Sequence, residues 1–295
     1  MELHQLRYFI AIAETSSFSR AAERCHVSQP SLSQQIKKLE DQLGQRLFDR
    51  LGKRVALTEA GKMLLDRVSV IISHVENAER EIRDSREVLN KRLSIGALPT
   101  IAPYFIPPLV EHMVVRHPDI ELTIHEDLTR NLVAATAAGE LDLAIMALPI
   151  NDPRLQVKPF HTERLLVAMA KGHSLARRKK LSLIHLAEER FIRLSDMHCL
   201  GEQVSSFCHD SNFNPQVACH SAQIETLQSL VAQGFGLSFV PEMARKSRHS
   251  EKIVYRSLAD YKLERTLAMV TNKHRYLSRL AMELQSELAL VIRSM

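Results

Sequence analysis

Cys199 and Cys208 stand nine positions apart within SDMHCLGEQVSSFCHD, residues 195 to 210, and offer the plainest covalent chemistry in the sequence. Ser195 or Asp196 can cap a helix that begins close to Cys199, where free backbone N–H groups and the helix dipole favour a thiolate. A thiolate attacks the O–O bond of a peroxide and becomes a sulfenic acid, which condenses with a second thiol to a reducible disulfide. Cys208 is the nearest second thiol in the sequence. If residues 199 to 208 are helical, a rise of 1.5 Å per residue sets the two Cα atoms about 13 Å apart. A disulfide needs them at about 4.4 to 6.8 Å. The bond then forms only if the helix comes apart, which would make it a conformational switch. The competing reading is that both thiols are inert. Cys25 and Cys219 lie in apolar settings and read as small core residues without a redox role, because free cysteine is among the most buried types. His209, His220 and the other histidines lack metal-ligand spacing, so neither a metal site nor a cofactor is expected.

A second stretch, SFSRAAERCHVSQPSLSQQIKKLEDQL at residues 17 to 43, reads as two helices joined by a tight turn. The first covers about Ser19 to Cys25, opens on a hydroxyl that can cap it, and carries small Ala21 and Ala22 where another helix approaches. The turn is Cys25-His26-Val27-Ser28. Ser28 caps the second helix, and Pro30 sits in its first turn, where a missing N–H costs nothing. Leu32, Ile36, Leu39 and Leu43 share one face. The opposite face shows Gln29, Ser31, Ser33, Gln34 and Lys37, groups that can read base edges and phosphates. An ordinary helical hairpin with a polar outer face is the alternative. Its neighbours favour the nucleic-acid reading. Leu3 to Ala13 forms a preceding helix with Leu6, Phe9, Ile10 and Ala13 on one side, and Arg50-Leu51-Gly52-Lys53-Arg54-Val55 reads as a cationic hairpin that touches phosphate.

The whole segment resembles the winged helix-turn-helix of LysR-type transcriptional regulators, whose pattern stands here as FSRAAERCHVSQPSLSQQIKKLEDQLGQRLFDR followed by LTEAG. That resemblance implies a DNA-binding face made of Gln29, Pro30, Ser31, Ser33, Gln34, Lys37, Arg50, Lys53 and Arg54, with double-stranded DNA as partner. RNA polymerase is a further candidate partner.

A chain of 295 residues exceeds one compact core, and 45% hydrophobic with 25% charged residues suits a soluble globular protein of two or three domains. The net charge of +5 suits a nucleic-acid binder without identifying one. Met1 is followed by an acidic, amphipathic stretch rather than a secretory leader, and no apolar run approaches the roughly 18 residues of a membrane span. A cytoplasmic protein without a membrane partner is expected, and its four cysteines would by default be free thiols.

Thr58 is placed to cap a long helix whose Leu64, Val68, Ile71, Val75, Ala78, Ile82, Ser85 and Leu89 form a heptad seam. Such a rod seldom stays alone, so a homodimer is expected, with two recognition helices for two half-sites. The alternative is a helix packed on its own domain.

From Leu93 short apolar runs alternate with helical stretches. Strands are predicted at 93–96, 121–124, 143–146, 165–168, 191–194, 216–218, 237–240 and 267–270, and helices at 106–116, 131–138 and 224–233, which argues for an α/β sensor region. The phrases GELDLAIMAL, ERLLVAMAKGHSL and LVAQGFGLSFVPEMA resemble the effector domain of the same family. The resemblance implies the fold class: an all-α winged helix-turn-helix, a long linker helix, and an α/β effector domain of periplasmic-binding-protein type with a cleft between two subdomains. The expected divisions are 1–58, 59–89 and 90–295, with subdomain I at about 90–161 and 267–295 and subdomain II at about 162–266. A terminal helix with Leu277, Leu280, Leu284, Leu288 and Val291 belongs to subdomain I.

His198-Cys199-Leu200 and Phe207-Cys208, with Glu126 to Thr129 and the strand after Arg265, resemble the peroxide-sensing OxyR group of this family. By that resemblance Cys199 is the peroxidatic residue and Cys208 the resolving one, hydrogen peroxide is the signal, and the chain is an activator of oxidative-stress genes that assembles as a dimer or tetramer. Thr100 and Thr129 match hydroxyl residues that hold peroxide and water near the thiol, and His198 and Arg265 match polar and cationic neighbours of the sulfur. Arg265 would stabilise the thiolate. Met197 departs from the glycine usual before His-Cys, and Gln34 replaces a smaller or basic residue. One rival is a metabolite-responsive regulator with its effector in the cleft. Another is a thiol peroxidase, which leaves the recognition helix and wing unexplained, so no enzyme is expected.

Overall fold

The protein is seen as a computed structural model that describes residues 1–51, 54–85, 91–246 and 251–294. Two compact units emerge, one of Met1–Glu87 with His274–Tyr276 and one of Val88–Lys273 with Leu277–Met295.

The first unit contains α1 (Leu3–Thr15), α2 (Phe18–Arg24), α3 (Gln29–Leu43), the strands β1 (Phe48–Leu51) and β2 (Arg54–Leu57), and α4 (Glu59–Ser85). Helix α2 begins one residue earlier than the sequence suggests, because Ser17 rather than Ser19 accepts from the Arg20 N–H. Ser28 accepts from the Ser31 N–H to cap α3, Pro30 lies in the first turn, and Gly44 ends the helix at φ 65°. Leu32, Ile36 and Leu39 are buried with Leu6, Phe9 and Ile12, whereas Leu43, expected on the same face, is 41% exposed. The core ends one turn before the apolar period does. Strands β1 and β2 pair antiparallel from Phe48↔Leu57 to Leu51↔Arg54. Thr58 accepts from the Gly61 N–H at 3.0 Å and so caps α4. On α4, Val68 is buried in this unit's core with Leu64 packed against it, while Ile71 and Ile82 are exposed. The seam is thus shared between the helix's own domain and an open face. Leu89 lies outside the described residues.

The second unit runs β3 (Arg92–Ala97), α5 (Ala102–Arg116), β4 (Glu121–Glu126), α6 (Thr129–Ala138), β5 (Leu143–Ala147) and β6 (Leu155–Ala170), then β7 (Arg190–Leu194), α7 (Cys199–Asp210), β8 (Gln216–Ser221), α8 (Ile224–Ala232), β9 (Ser238–Pro241), β10 (Ile253–Arg256), β11 (Glu264–Asn272) and α9 (Arg279–Ser294). The main sheet has the order β10-β6-β11-β5-β3-β4, with β9 on β6, and β7 pairs with β8 separately. Strand β6 is long enough to serve two cores. Its first half pairs with β11 and its second with β9 and β10. One core gathers residues between Leu93 and Leu155 with Leu267 to Leu288, and the other gathers residues between Leu165 and Leu263. The α/β class expected from the alternation is borne out. Helix α5 starts four residues before the predicted start, with Pro107 and Pro108 inside it. In α9, Leu280, Leu284 and Leu288 are buried. Among the described residues no helix is long and apolar enough to cross a membrane.

Candidate functional site

Cys199 is the first residue of α7, and His198 occupies the N-cap without a side-chain capping bond. Neither Ser195 nor Asp196 caps the helix, contrary to expectation. Ser195 Oγ accepts from the Met197 N–H instead, and Asp196 accepts from the hydroxyl of Ser205 two turns along α7. The helix buries only Leu200 and Gly201. Gly201 is required there: a Cβ would lie 2.8 Å from the Leu194 carbonyl oxygen and closer still to that of Ser195, so only glycine lets α7 seat on the end of β7.

The two thiols rest on different supports. Cys199 is packed against the first core of the second unit, and Cys208 against the second. Both are free and half-buried, as are Cys25 and Cys219, which were expected in the core. With α7 helical from Cys199 to Asp210, the nine-residue separation spans about 13 Å along the axis, well beyond disulfide reach.

Beside Cys199 opens a cleft of about 640 Å³ lined by Leu128, Thr129, Met197, Cys199 and Gln203, among others. Strand pairing supplies the charged group behind it. Arg265 on β11 lies directly opposite Glu163 on β6, and opposed residues of antiparallel strands project to the same side. Arg265 Nε donates to Glu163 Oε1 at 2.7 Å, Nη1 to Thr100 Oγ1 at 3.1 Å and Nη2 to the Thr100 carbonyl at 3.2 Å. Glu163 Oε2 accepts from the Met243 N–H at 2.9 Å. Both ionised side chains are almost fully buried, so each depends on the other and on these hydrogen bonds. Nearby, the Tyr104 hydroxyl donates to Gln228 Oε1 at 3.4 Å, and Tyr104 packs against both cores.

Burial pushes the Cys199 thiol up, while the Arg265 cation, the Thr129 hydroxyl and the Leu200 N–H pull the other way. The expected thiolate support is present in sign, but desolvation outweighs it. The Thr129 hydroxyl is buried without a hydrogen-bond partner yet favours the charged sulfur. A hydroxyl rotor reconciles these facts, because it can donate to a thiolate once the proton has left. An orphaned hydroxyl beside a nucleophile is also a place for a small polar ligand.

Of the sequence-predicted residues, Thr100 and Arg265 are joined by hydrogen bonds, Thr129 and Cys199 share the cleft, His198 is buried at the helix cap, and Cys208 stands apart. Glu163 was not foreseen. Its signal was a charge inside the phrase ERLLVAM, where every other strand position but Arg164 is apolar. In the first unit, Gln29, Pro30, Ser31, Gln34 and Lys37 are exposed on α3 and Ser33 is half-buried. The Ser19 hydroxyl donates to Gln29 Oε1 at 3.3 Å. Arg50 and Arg54 lie on the hairpin strands, and Lys53 lies outside the described residues. Among the described residues no cluster of His, Cys, Asp or Glu is fit to hold a metal ion.

Comparison with known proteins gives a consistent result. Residues 3–62 match the family "Bacterial regulatory helix-turn-helix protein, lysR family", and residues 86–289 match "LysR substrate binding domain". Over 271 residues the chain is 33% identical to the "DNA-binding transcriptional dual regulator OxyR" of Escherichia coli K12, covering 92% of this chain and 89% of that protein. It is also 33% identical over 273 residues to the "Hydrogen peroxide-inducible genes activator" of Pectobacterium carotovorum, covering 92% and 90% of the two chains. A solved structure of a full-length OxyR cysteine-to-aspartate variant from Pseudomonas aeruginosa superposes with a TM-score of 0.70 at 32% identity, covering 99% of this chain and 95% of that one.

Proposed function

The chain belongs to the LysR family of transcriptional regulators, and from that premise we propose that it senses hydrogen peroxide through Cys199 and Cys208 and controls peroxide-response genes. The observation that carries the reading is the placement of Cys199, at the start of α7 and beside a cleft holding the unpartnered Thr129 hydroxyl. The relatives named as peroxide-inducible activators support it.

In this reading the Cys199 thiolate attacks one oxygen of the peroxide. An S–O bond forms, the O–O bond breaks, and the departing hydroxide takes up the proton that the thiol released, giving water. Thr129 and Thr100 orient the oxidant, His198 contributes a polar neighbour, and Arg265 offsets charge on the sulfur and on the leaving oxygen. Helix α7 then opens. The Cys208 thiolate attacks the Cys199 sulfur, an S–S bond replaces the S–O bond, and a second hydroxide leaves as water. Two thiols lose two electrons and one peroxide becomes two waters.

The DNA-binding surface is α3 with the hairpin that follows it, where Gln29, Pro30, Ser31, Ser33, Gln34, Lys37, Arg50, Lys53 and Arg54 meet base edges and phosphates. The exposed Ile71 and Ile82 on α4 suit pairing with the same helix of a second copy, the dimer from which a tetramer is built. A second reading makes the effector a metabolite, since the cleft of about 640 Å³ lies within the size range of small-molecule pockets. Thiol mapping by mass spectrometry before and after stoichiometric peroxide, with DNA footprinting of the same samples, separates the two. A Cys199–Cys208 bridge with an altered footprint, both lost in Cys199→Ser, supports the peroxide reading. A Cys199→Ser protein that still responds supports the metabolite. Consumption of about one peroxide per subunit separates a sensor from a turnover enzyme.

A further inference from the structure

Arg193 projects from β7 toward α7. Its Nη2 donates to Asp196 Oδ1 at 3.0 Å and also to the Ser205 hydroxyl oxygen. Ser205 in turn can donate to Asp196 Oδ1 at 2.6 Å or to the Gly201 carbonyl at 2.8 Å. A cation, a carboxylate and a hydroxyl thus form a closed ring. Its members come from β7, from the loop three residues ahead of Cys199, and from α7 three residues ahead of Cys208.

We infer that Arg193 is the latch of the redox switch: with Asp196 and Ser205 it fastens α7 in the reduced fold, and after release it favours attack by Cys208. The inference rests on the disulfide reading proposed above. The ring spans the segment that must unwind, because Ser205 cannot stay on Asp196 while the helix between Cys199 and Cys208 comes apart. Arg193 itself stays in place. Its strand neighbours Ile192 and Leu194 are buried, and β7 is held to β8 from Arg190 to Leu194. Cys208 and Arg193 line the same small cavity under α7. Burial pushes the Cys208 thiol up, and the Arg193 charge opposes that push. Freed from Ser205, the guanidinium has donor capacity to spare for the thiolate. That thiolate attacks the sulfur of the Cys199 sulfenic acid, forming S–S as S–O breaks and hydroxide leaves to become water. The latch therefore sets how readily an oxidised Cys199 becomes a bridge.

Rapid quenching of the reduced full-length protein after stoichiometric hydrogen peroxide tests this, with dimedone trapping of the Cys199 sulfenic acid and mass spectrometry of the disulfide read separately. Ser205→Ala removes one hydroxyl and is expected to close the disulfide about tenfold faster, with sulfenic acid formation within about twofold of wild type. Arg193→Gln is expected to raise the pH midpoint of closure by about one unit, an effect that mere loosening of a helix does not produce, and Arg193→Lys to restore it. Closure at the wild-type rate in Ser205→Ala, or an unmoved midpoint in Arg193→Gln, overturns the latch while leaving the switch intact. A wild-type protein that accumulates sulfenic acid and never a Cys199–Cys208 bridge overturns the switch and the latch with it.

Discussion

Helices α3 and α7 are of similar length and opposite construction. Helix α3 is capped by Ser28, stopped by Gly44 and buries Leu32, Ile36 and Leu39. Helix α7 has no side-chain cap, buries only Leu200 and Gly201, and is tied down by polar bonds from Ser205 to Asp196 and from Gln203 Nε2 to the Glu264 carbonyl at 2.7 Å. Apolar burial is released only by unfolding, whereas polar ties can be exchanged with water at small net cost. Helix α3 is held mainly by buried apolar side chains, whereas α7, whose Phe207 packs edge-on against Phe239 and Tyr261, leans more on polar ties. In the proposed function the first helix persists on DNA and the second lets go.

Substitutions can break or sharpen this contrast. Leu32→Ala empties a fully buried position of α3 and is expected to cost about 2 to 5 kcal/mol by denaturant unfolding, with Cys199 oxidation unchanged. Gly201→Ala forces a Cβ against the Ser195 carbonyl. It is expected to cost about 1 to 3 kcal/mol and to speed amide exchange across α7 while leaving α3 alone. The pH profile comes next. Since burial pushes the Cys199 thiol up, the thiol form dominates near neutrality and the thiolate fraction grows as pH rises, so sulfenic acid formation should increase about tenfold from pH 7 to pH 8. A flat profile would mean that Arg265 and Thr129 outweigh burial. The smallest effect is Ser28→Ala, which removes the α3 cap at a cost of about 1 kcal/mol and should weaken operator binding without moving the redox response.

How much was legible follows the same contrast. Helix α3, the Thr58 cap and the short strands carry their own periodicity and punctuation, so they could be read directly. The overreach at Leu43 came from extending the apolar period into the last turn of α3, where the helix continues but the core beneath it has ended. Helix α5 was started four residues late, which put Pro107 and Pro108 in the first turn, where proline is best tolerated. Strand β10 and the first half of β6 were missed, the latter because residues such as Lys158, Pro159 and His161 interrupt any alternation. At the site, Cys199 and Cys208 were visible by type and spacing. Glu163 was not, because 102 positions separate it from Arg265 and only the β6–β11 register brings them together. Ser205 and Arg193 were hidden for another reason: polar residues on a helix flank or at a strand end read as solvated until their partners are placed.

The most direct measurement is hydrogen exchange across residues 199–210, paired with disulfide mapping, before and after one equivalent of peroxide. The expected result is protected amides and free thiols in the reduced protein, then a Cys199–Cys208 bridge accompanied by loss of that protection. A bridge already present in untreated protein, or one that forms while the amides stay protected, would contradict the claim that oxidation has to unwind α7.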